Sequence, residues 1–189
     1  MNKLTPKEIA QTIFNKATPV IKIHGVGGKK WKRNVAKGSR IGPWLQGNYE
    51  ILDEHTWREG GACLYLVANS DFHIRYVGIS RNGLKHRWRT SPAYDATTME
   101  KLPENQIFHS QCWKHIERES TTNPKVTFEI RCISAKQIAE NSHLFSHQVA
   151  SLVDAFNDDG ESVVAAIERW FCNGKSGDFL SWNVAMTGH

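Results

Sequence analysis

Two adjacent apolar runs, at 62–68 and 73–79, constrain the fold more than any other feature of the chain. They read ACLYLVA and HIRYVGI, and adjacent asparagine, serine and aspartate residues lie between them. Short runs rich in β-branched and aromatic residues predict strands, and neighbouring Asn, Ser and Asp residues predict a turn. Two strands joined by so short a turn pair antiparallel. The sequence therefore predicts a β-hairpin here.

A third strand is predicted at 125–133, where Val126, Phe128 and Ile130 alternate with polar residues. Helical patterns are predicted at 6–16, 82–89, about 105–119, 134–145, 146–157 and 160–174. The order of strands and helices predicts an α+β fold, with a small, mainly antiparallel three-stranded sheet flanked by helices.

The N-terminal third carries the positive charge of the chain, whose formal net charge is +5. No acidic residue occurs between Glu8 and Glu50, and the stretch between them is rich in glycine and lysine. We expect residues 17–59 to be irregular, and residues 1–59 to form a basic N-terminal arm on a core domain at 60–189, with an insertion at about 90–124. Such an arm favours a polyanion, most often nucleic acid, and a solvated tail is the alternative. The candidate DNA-binding residues of the arm are Lys29, Lys30, Lys32, Arg33 and Lys37.

Several classes of protein do not fit the sequence. No apolar run is long enough for a transmembrane helix, and no signal peptide is recognisable, so no membrane partner is expected. The cysteines are scattered without a CxxC pair, which favours a reducing cytoplasm. The segment GVGGKK lacks the spacing of a phosphate-binding loop, so no nucleotide cofactor is expected.

Chemically useful side chains recur along the predicted core. Tyr65 and Tyr76 lie on the two hairpin strands, where they can meet on one face, and Gly78 marks a close approach to the backbone. Arg87 follows on a short helix, Glu168 lies at the edge of an apolar helix face, and Asn183 comes near the end of the chain. Each of these residues alone is an ordinary sheet, surface or loop residue, and only their joint order suggests a site.

In this order the residues resemble the GIY-YIG nuclease superfamily, over roughly residues 61–189. The second family motif is present as Tyr76-Val77-Gly78, whereas the first survives only as the tyrosine of Cys63-Leu64-Tyr65. The resemblance assigns the helix arginine to Arg87, the metal-binding glutamate to Glu168 and the asparagine to Asn183, which has a purely structural role as its alternative.

The chain departs from the family at Ser91, where a histidine or tyrosine is common. His86 or Tyr94 are the candidate substitutes.

The resemblance implies hydrolysis of a phosphodiester with one Mg²⁺, or another divalent cation such as Mn²⁺, on Glu168. Arg87 would bind a phosphate oxygen, and one of the two tyrosines would accept a proton from water, the choice between them staying open. Lys85 and Arg89, beside Arg87, are further candidates for DNA contacts, as is Gly78.

The predicted function is that of a metal-dependent DNA endonuclease, specifically a type II restriction endonuclease that acts as a homodimer on double-stranded DNA. The alternatives are a repair, phage or homing-type nuclease of the same superfamily, and a non-catalytic nucleic-acid-binding module.

Overall fold

The computed structural model describes residues 4–33, 44–95, 97–101, 107–108, 110–156, 159–173 and 179–183. The helices are α1 (Pro6–Lys16), α2 (Glu54–Arg58), α3 (Leu84–Arg87), α4 (Trp113–Thr122), α5 (Ala135–Phe145), α6 (His147–Ala155) and α7 (Gly160–Cys172). The strands are β1 (Thr18–Arg33), β2 (Trp44–Ile51), β3 (Cys63–Asn69), β4 (Ile74–Ser80), β5 (Thr90–Ser91), β6 (Ala93–Asp95), β7 (Ile107–Phe108) and β8 (Phe128–Ser134). The fold is α+β, as the sequence predicts.

The main sheet is antiparallel and runs in the order β2-β1-β8-β3-β4, with β6 paired to the far end of β1. Within the described residues it has six strands, so the prediction of a three-stranded sheet is wrong. Strands β5 and β7 form a separate two-stranded sheet.

The prediction that residues 17–59 are irregular is also wrong, because β1 and β2 lie within this range. Val20, Ile21 and Ile23 of β1 are fully buried, and β1 pairs with both β2 and β8. The glycines that suggested a loop lie in a bulged strand: the register shifts just before Gly25, whose φ of 147° suits glycine. Glycine in a strand often marks a bulge, and here the bulges bend β1 without ending it.

The hairpin predicted at 62–79 is confirmed as β3 and β4. Its register places Tyr65 opposite Gly78 and Val67 opposite Tyr76. The Asn69 side chain closes the turn, because its Oδ1 accepts hydrogen bonds from the backbone N–H groups of Asp71 and His73 at 3.2 and 2.9 Å. The sequence signal and the structure agree here because a turn of this kind depends on local side chains.

The two faces of β3 pack into two hydrophobic clusters, because successive strand residues point to opposite sides. Leu64 and Leu66 join the cluster formed with α1, α5, α6 and α7. Cys63, Tyr65 and Val67 join the cluster that contains Trp88, Phe108 and the start of α4, which is called the aromatic cluster below. Helices therefore flank the sheet on both faces.

Most of the helix predictions are confirmed, with one partial failure. Helix α1 begins at Pro6 and is capped by Thr5, whose side chain accepts from the Glu8 N–H while the Glu8 carboxylate accepts from the Thr5 N–H. The helix predicted at about 105–119 is shorter and later, because 107–108 form β7 and α4 begins at Trp113. Within the described residues, no helix combines the length and the apolar character needed to cross a membrane.

Candidate active site

The residues of the candidate site surround Gly78 on β4. The rings of Tyr65 and Tyr76 stack beside it, with centroids 5.8 Å apart and an interplanar angle of 27°. A Cβ atom on residue 78 would lie 2.5 Å from Tyr76 Cε1 and 2.6 Å from the Tyr65 hydroxyl, closer than real Cβ contacts come. The close approach to the backbone that the sequence suggested is therefore made by the two tyrosines themselves.

Arg87 joins the tyrosine pair from α3. Its Nε donates a hydrogen bond to the Tyr65 hydroxyl at 3.3 Å, and its side chain is half-buried. The neighbouring residues fix this orientation, because Leu84 and Trp88 are buried in the aromatic cluster and Trp88 meets the Tyr65 ring edge-on at 6.0 Å. Because Leu84 and Trp88 are fixed in the core on either side of Arg87, its guanidinium is held beside the tyrosine hydroxyls.

Glu168 approaches the same strand from α7. The helix buries Val164 and Ile167 against the sheet, which leaves Glu168 half-buried at the flank of this apolar face. Its carboxylate accepts a hydrogen bond from the Ile79 backbone N–H. Burial raises the pKa of this carboxyl group above its ordinary value, while the positive charge of Arg87 and the Ile79 hydrogen bond oppose the rise.

The electrostatic environment of the two phenols opposes their ionisation. Burial raises the pKa of Tyr65 well above its usual range and raises that of Tyr76, and the charge of Arg87 acts in the opposite direction on both. At neutral pH the two hydroxyls are therefore protonated donors and acceptors of hydrogen bonds. Either tyrosine could act as a base only with more positive charge beside it than Arg87 supplies.

Asn183 binds the free edge of β4 with its side-chain amide. Its Oδ1 accepts from the Val77 N–H at 2.9 Å, and its Nδ2 donates to the Val77 carbonyl at 2.7 Å. The Trp182 N–H donates to the Arg75 carbonyl at 3.1 Å, so this segment continues along the edge like a neighbouring strand. These contacts match the structural alternative for Asn183, and we assign it a positioning role.

Replacement of Asn183 by alanine is expected to destabilise the fold by about 1–3 kcal/mol, because the two polar groups of Val77 lose their partner. Hydrogen exchange should accelerate at the Val77 amide, which mass spectrometry of the β4 peptide would detect. Asn82→Ala, at an exposed position, is the matched control and should change the free energy of unfolding by less than about 0.5 kcal/mol. Unchanged exchange at Val77 in the Asn183 variant would contradict this role.

Cys112 belongs to the site but was missed from the sequence. It is fully buried in the aromatic cluster with both tyrosines, and its Sγ lies 3.0 Å from Ser110 Oγ. Burial raises the pKa of this thiol to about 12, so it is neutral at physiological pH. A single cysteine gives no sequence signal of a site, and only the packing of α4 places Cys112 here.

The other candidates on and after α3 lie apart from the tyrosines. Lys85, His86 and Arg89 are exposed on the outer side of α3 and the residues after it. No described hydrogen bond or ring contact joins His86 to Tyr65 or Tyr76. Tyr94 lies on β6, where it pairs with Lys32 of β1. Neither candidate substitute for the family histidine is therefore held in the site by a described contact.

The basic residues of the predicted arm lie on and after β1. Lys29 forms an ion pair with Asp95, and its Nζ lies 4.6 Å from the centroid of the Trp31 ring. Lys30 is exposed, and Lys32 is half-buried. The backbone of Arg33 ends β1, and Lys37 lies outside the described residues. The charge of Lys29 is thus already compensated, whereas no described ion pair involves Lys30 or Lys32.

The described residues include no group of three or more His, Cys, Asp or Glu side chains arranged to hold a metal ion. A cation at this site would therefore depend on the single carboxylate of Glu168, with water and substrate oxygens as its other ligands. A guanidinium, two phenols and one carboxylate are together suited to binding and hydrolysing a phosphate ester. Comparison with protein-family models, curated proteins and solved structures finds no match to this chain.

Proposed function

We propose that the protein is a metal-dependent DNA endonuclease that hydrolyses phosphodiester bonds. The observation that carries the proposal is the hydrogen bond from Arg87 to Tyr65, beside the stacked Tyr76 ring and within electrostatic reach of Glu168. The resemblance of residues 61–189 to the GIY-YIG superfamily supports the same chemistry.

Arg87 is proposed to hold the scissile phosphate. Its guanidinium carries five N–H donors; the bond to Tyr65 uses the one on Nε, and Tyr76 also accepts a hydrogen bond from the guanidinium. The remaining donors would bind non-bridging oxygens and stabilise the charge that develops on the phosphate in the transition state. Tyr65 and Tyr76 would position the attacking water through their hydroxyls. A tyrosine ionised by additional positive charge would accept the water proton as the new P–O bond forms, and the oxygen of the broken P–O bond would take a proton from solvent.

The residues present fit a single Mg²⁺, or another divalent cation such as Mn²⁺. Glu168 is a hard oxygen donor that forms no described ion pair, and Mg²⁺ is commonly held by one or two carboxylates with waters and phosphate oxygens. When bound, such a cation lowers the pKa of a bound water and neutralises charge on the phosphate. The cation would also supply the additional positive charge that a buried tyrosine needs in order to ionise.

Within the nucleases, we favour a site-specific type II restriction endonuclease that binds double-stranded DNA as a homodimer. Sequence-specific cutting requires elements beside the catalytic centre that contact bases, and the paired β1 and β2 strands and the described parts of the segment at 90–124 are available for this. A two-fold recognition site would be matched by a two-fold protein.

The test is a plasmid digest with purified protein, with Mg²⁺ and with EDTA, beside Glu168→Ala. Discrete bands that require Mg²⁺ and are absent with the variant are expected. Glu140→Ala is the matched control, since Glu140 is exposed on α5 and its described ion pair is with the neighbouring Lys136, and it should cut like the wild type. Fragment ends would give the recognition site.

Other outcomes separate the alternatives. A Mg²⁺-dependent smear would keep the nuclease and discard the restriction enzyme in favour of a repair or phage nuclease with loose specificity. Failure to cut duplex, branched or modified DNA, with folding and DNA binding intact, would identify a non-catalytic nucleic-acid-binding module.

A further inference from the structure

Beyond Ile23, β1 separates from β8 and continues as a two-stranded ribbon with β2. We define the ribbon as residues 24–31 with residues 44–48, a segment in which β1 pairs with β2 but no longer with β8, and in which only the last residue, Trp31, also pairs with β6. One face packs on the protein, because Val26 contacts the aromatic cluster and its register partner Gly47 is buried. The inner face is thus committed to the fold, and the outer face is available to a partner.

Two carboxamide side chains, each opposite a glycine of β1, lie on the outer face of the ribbon. Asn48 pairs with Gly25 in the register, and a Cβ on Gly27 would lie 3.8 Å from Gln46 Cβ, which places Gly27 and Gln46 on the same face. No described hydrogen bond within the protein involves the side chain of Gln46 or Asn48. Because the facing strand carries no side chains at 25 and 27, a ligand could approach both amides closely.

Two adjoining depressions mark this surface. One, of about 350 Å³, is lined by Gln46 and Asn48, and the other, of about 230 Å³, is lined by Asn48, His24 and Ser120. The second depression also reaches Val26 and Ser120, so it lies at the border between the ribbon and α4.

The charges around the ribbon favour a polyanion. Among the described residues no carboxylate lines either depression. Glu50 of β2 is paired with His24 at 2.9 Å, and the Glu117 carboxylate of α4 accepts a hydrogen bond from the Leu45 N–H at 2.7 Å. Lys30 and Lys32 follow on β1 without a described ion pair. The surface therefore combines uncompensated positive charge with neutral hydrogen-bonding groups.

We propose that the outer face of the ribbon reads base edges in the major groove of duplex DNA, with Gln46 and Asn48 as the specificity-determining side chains. The major groove admits a two-stranded β-ribbon, and Asn or Gln makes paired hydrogen bonds to N6 and N7 of adenine. Lys30 and Lys32 contact phosphates and set the affinity for any sequence. The inference rests on the proposed action on DNA, and it assigns an adenine contact to each amide.

The test is selection of bound duplexes from a randomised pool by the full-length protein in EDTA, followed by sequencing, so that cleavage is not required. We expect the wild type to select a motif with adenines. Gln46→Ala and Asn48→Ala should each lose the preference at one position and bind the selected site about 10-fold to 100-fold more weakly. Asn141→Ala is the control, because its amide bonds within α5.

Lys30→Ala and Lys32→Ala should behave differently, lowering affinity for all sequences and reducing the slope of log K against log salt by about 0.9 each. Deleting residues 1–40 cannot replace these variants, because the deletion removes β1 from the sheet.

The inference and the proposed function fail in distinguishable ways. Selection of the same motif with the same affinity by both amide variants would overturn the ribbon as the reading element, and so would the absence of DNA binding by the folded wild type. Selection of a motif that depends on Gln46 and Asn48, by a protein that never cuts the selected DNA with Mg²⁺, would keep the ribbon and discard the nuclease.

Discussion

Arg87→Ala is expected to reduce DNA cleavage by about 10²-fold to 10³-fold, the loss typical when one donor to a developing negative charge is removed. The physical reason is the position of the guanidinium, which is half-buried and held at the Tyr65 hydroxyl. The variant loses the group proposed to bind the phosphate. It also loses the one described positive charge that opposes the rise that burial causes in the pKa of both tyrosines. Single-turnover cleavage with protein in excess measures the chemical step.

Arg87→Lys separates charge from geometry in this prediction. Lysine keeps the positive charge but lacks the planar fork of donors, so we expect it to recover only part of the lost rate. Arg58→Ala is the matched control, because Arg58 is an exposed arginine on α2 that pairs with Glu54. DNA binding in EDTA should be nearly unchanged in all three variants. Cleavage by Arg87→Ala at the wild-type rate would remove Arg87 from the proposed mechanism.

Gly78→Ala is expected to be the most damaging single methyl addition at the site. The new Cβ would lie 2.5 Å from Tyr76 Cε1 and 2.6 Å from the Tyr65 hydroxyl, so the rings or strand β4 must move. Overpacking of this kind typically costs about 1–3 kcal/mol of stability. Because the displaced groups are the two phenols, we expect cleavage to be lost even at temperatures where the variant remains folded.

Gly60→Ala provides the comparison for Gly78→Ala. Gly60 is exposed, and a Cβ there would have no neighbour within 4 Å, so its free energy of unfolding should change by less than about 0.5 kcal/mol. Thermal melting and near-ultraviolet circular dichroism report stability and the tyrosine environment in both variants. If Gly78→Ala melted at the wild-type temperature and cleaved DNA at the wild-type rate, the two tyrosine rings would not pack against residue 78 as described.

The hairpin and the tyrosine pair could be predicted from the sequence because their signals are local. Two short apolar runs, a turn closed by Asn69 and the spacing of Tyr65 and Tyr76 leave little freedom in the register of two short strands. The buried partners of Arg87 were likewise predictable, since Leu84 and Trp88 are spaced one helical turn apart.

The wider sheet could not be predicted in the same way. The glycines and lysines of β1 suggest a loop, and the strand forms because β2 and β8 supply its hydrogen bonds from distant parts of the chain. This is a case in which tertiary pairing overrides local propensity. The contacts of Cys112 and Asn183 depend in the same way on packing between distant elements, which no spacing along the chain reveals.

The free edge of β4 has a consequence for how copies of the protein can associate. An unpaired strand edge is a template onto which another chain can add, and monomeric proteins commonly block it. Here the backbone groups of Arg75, Val77 and Ile79 are occupied in turn by the Trp182 backbone, the Asn183 amide and the Glu168 carboxylate. Growth of the sheet from one molecule into the next is therefore blocked on this side. A dimer would have to form through side-chain surfaces or at the opposite edge of the sheet.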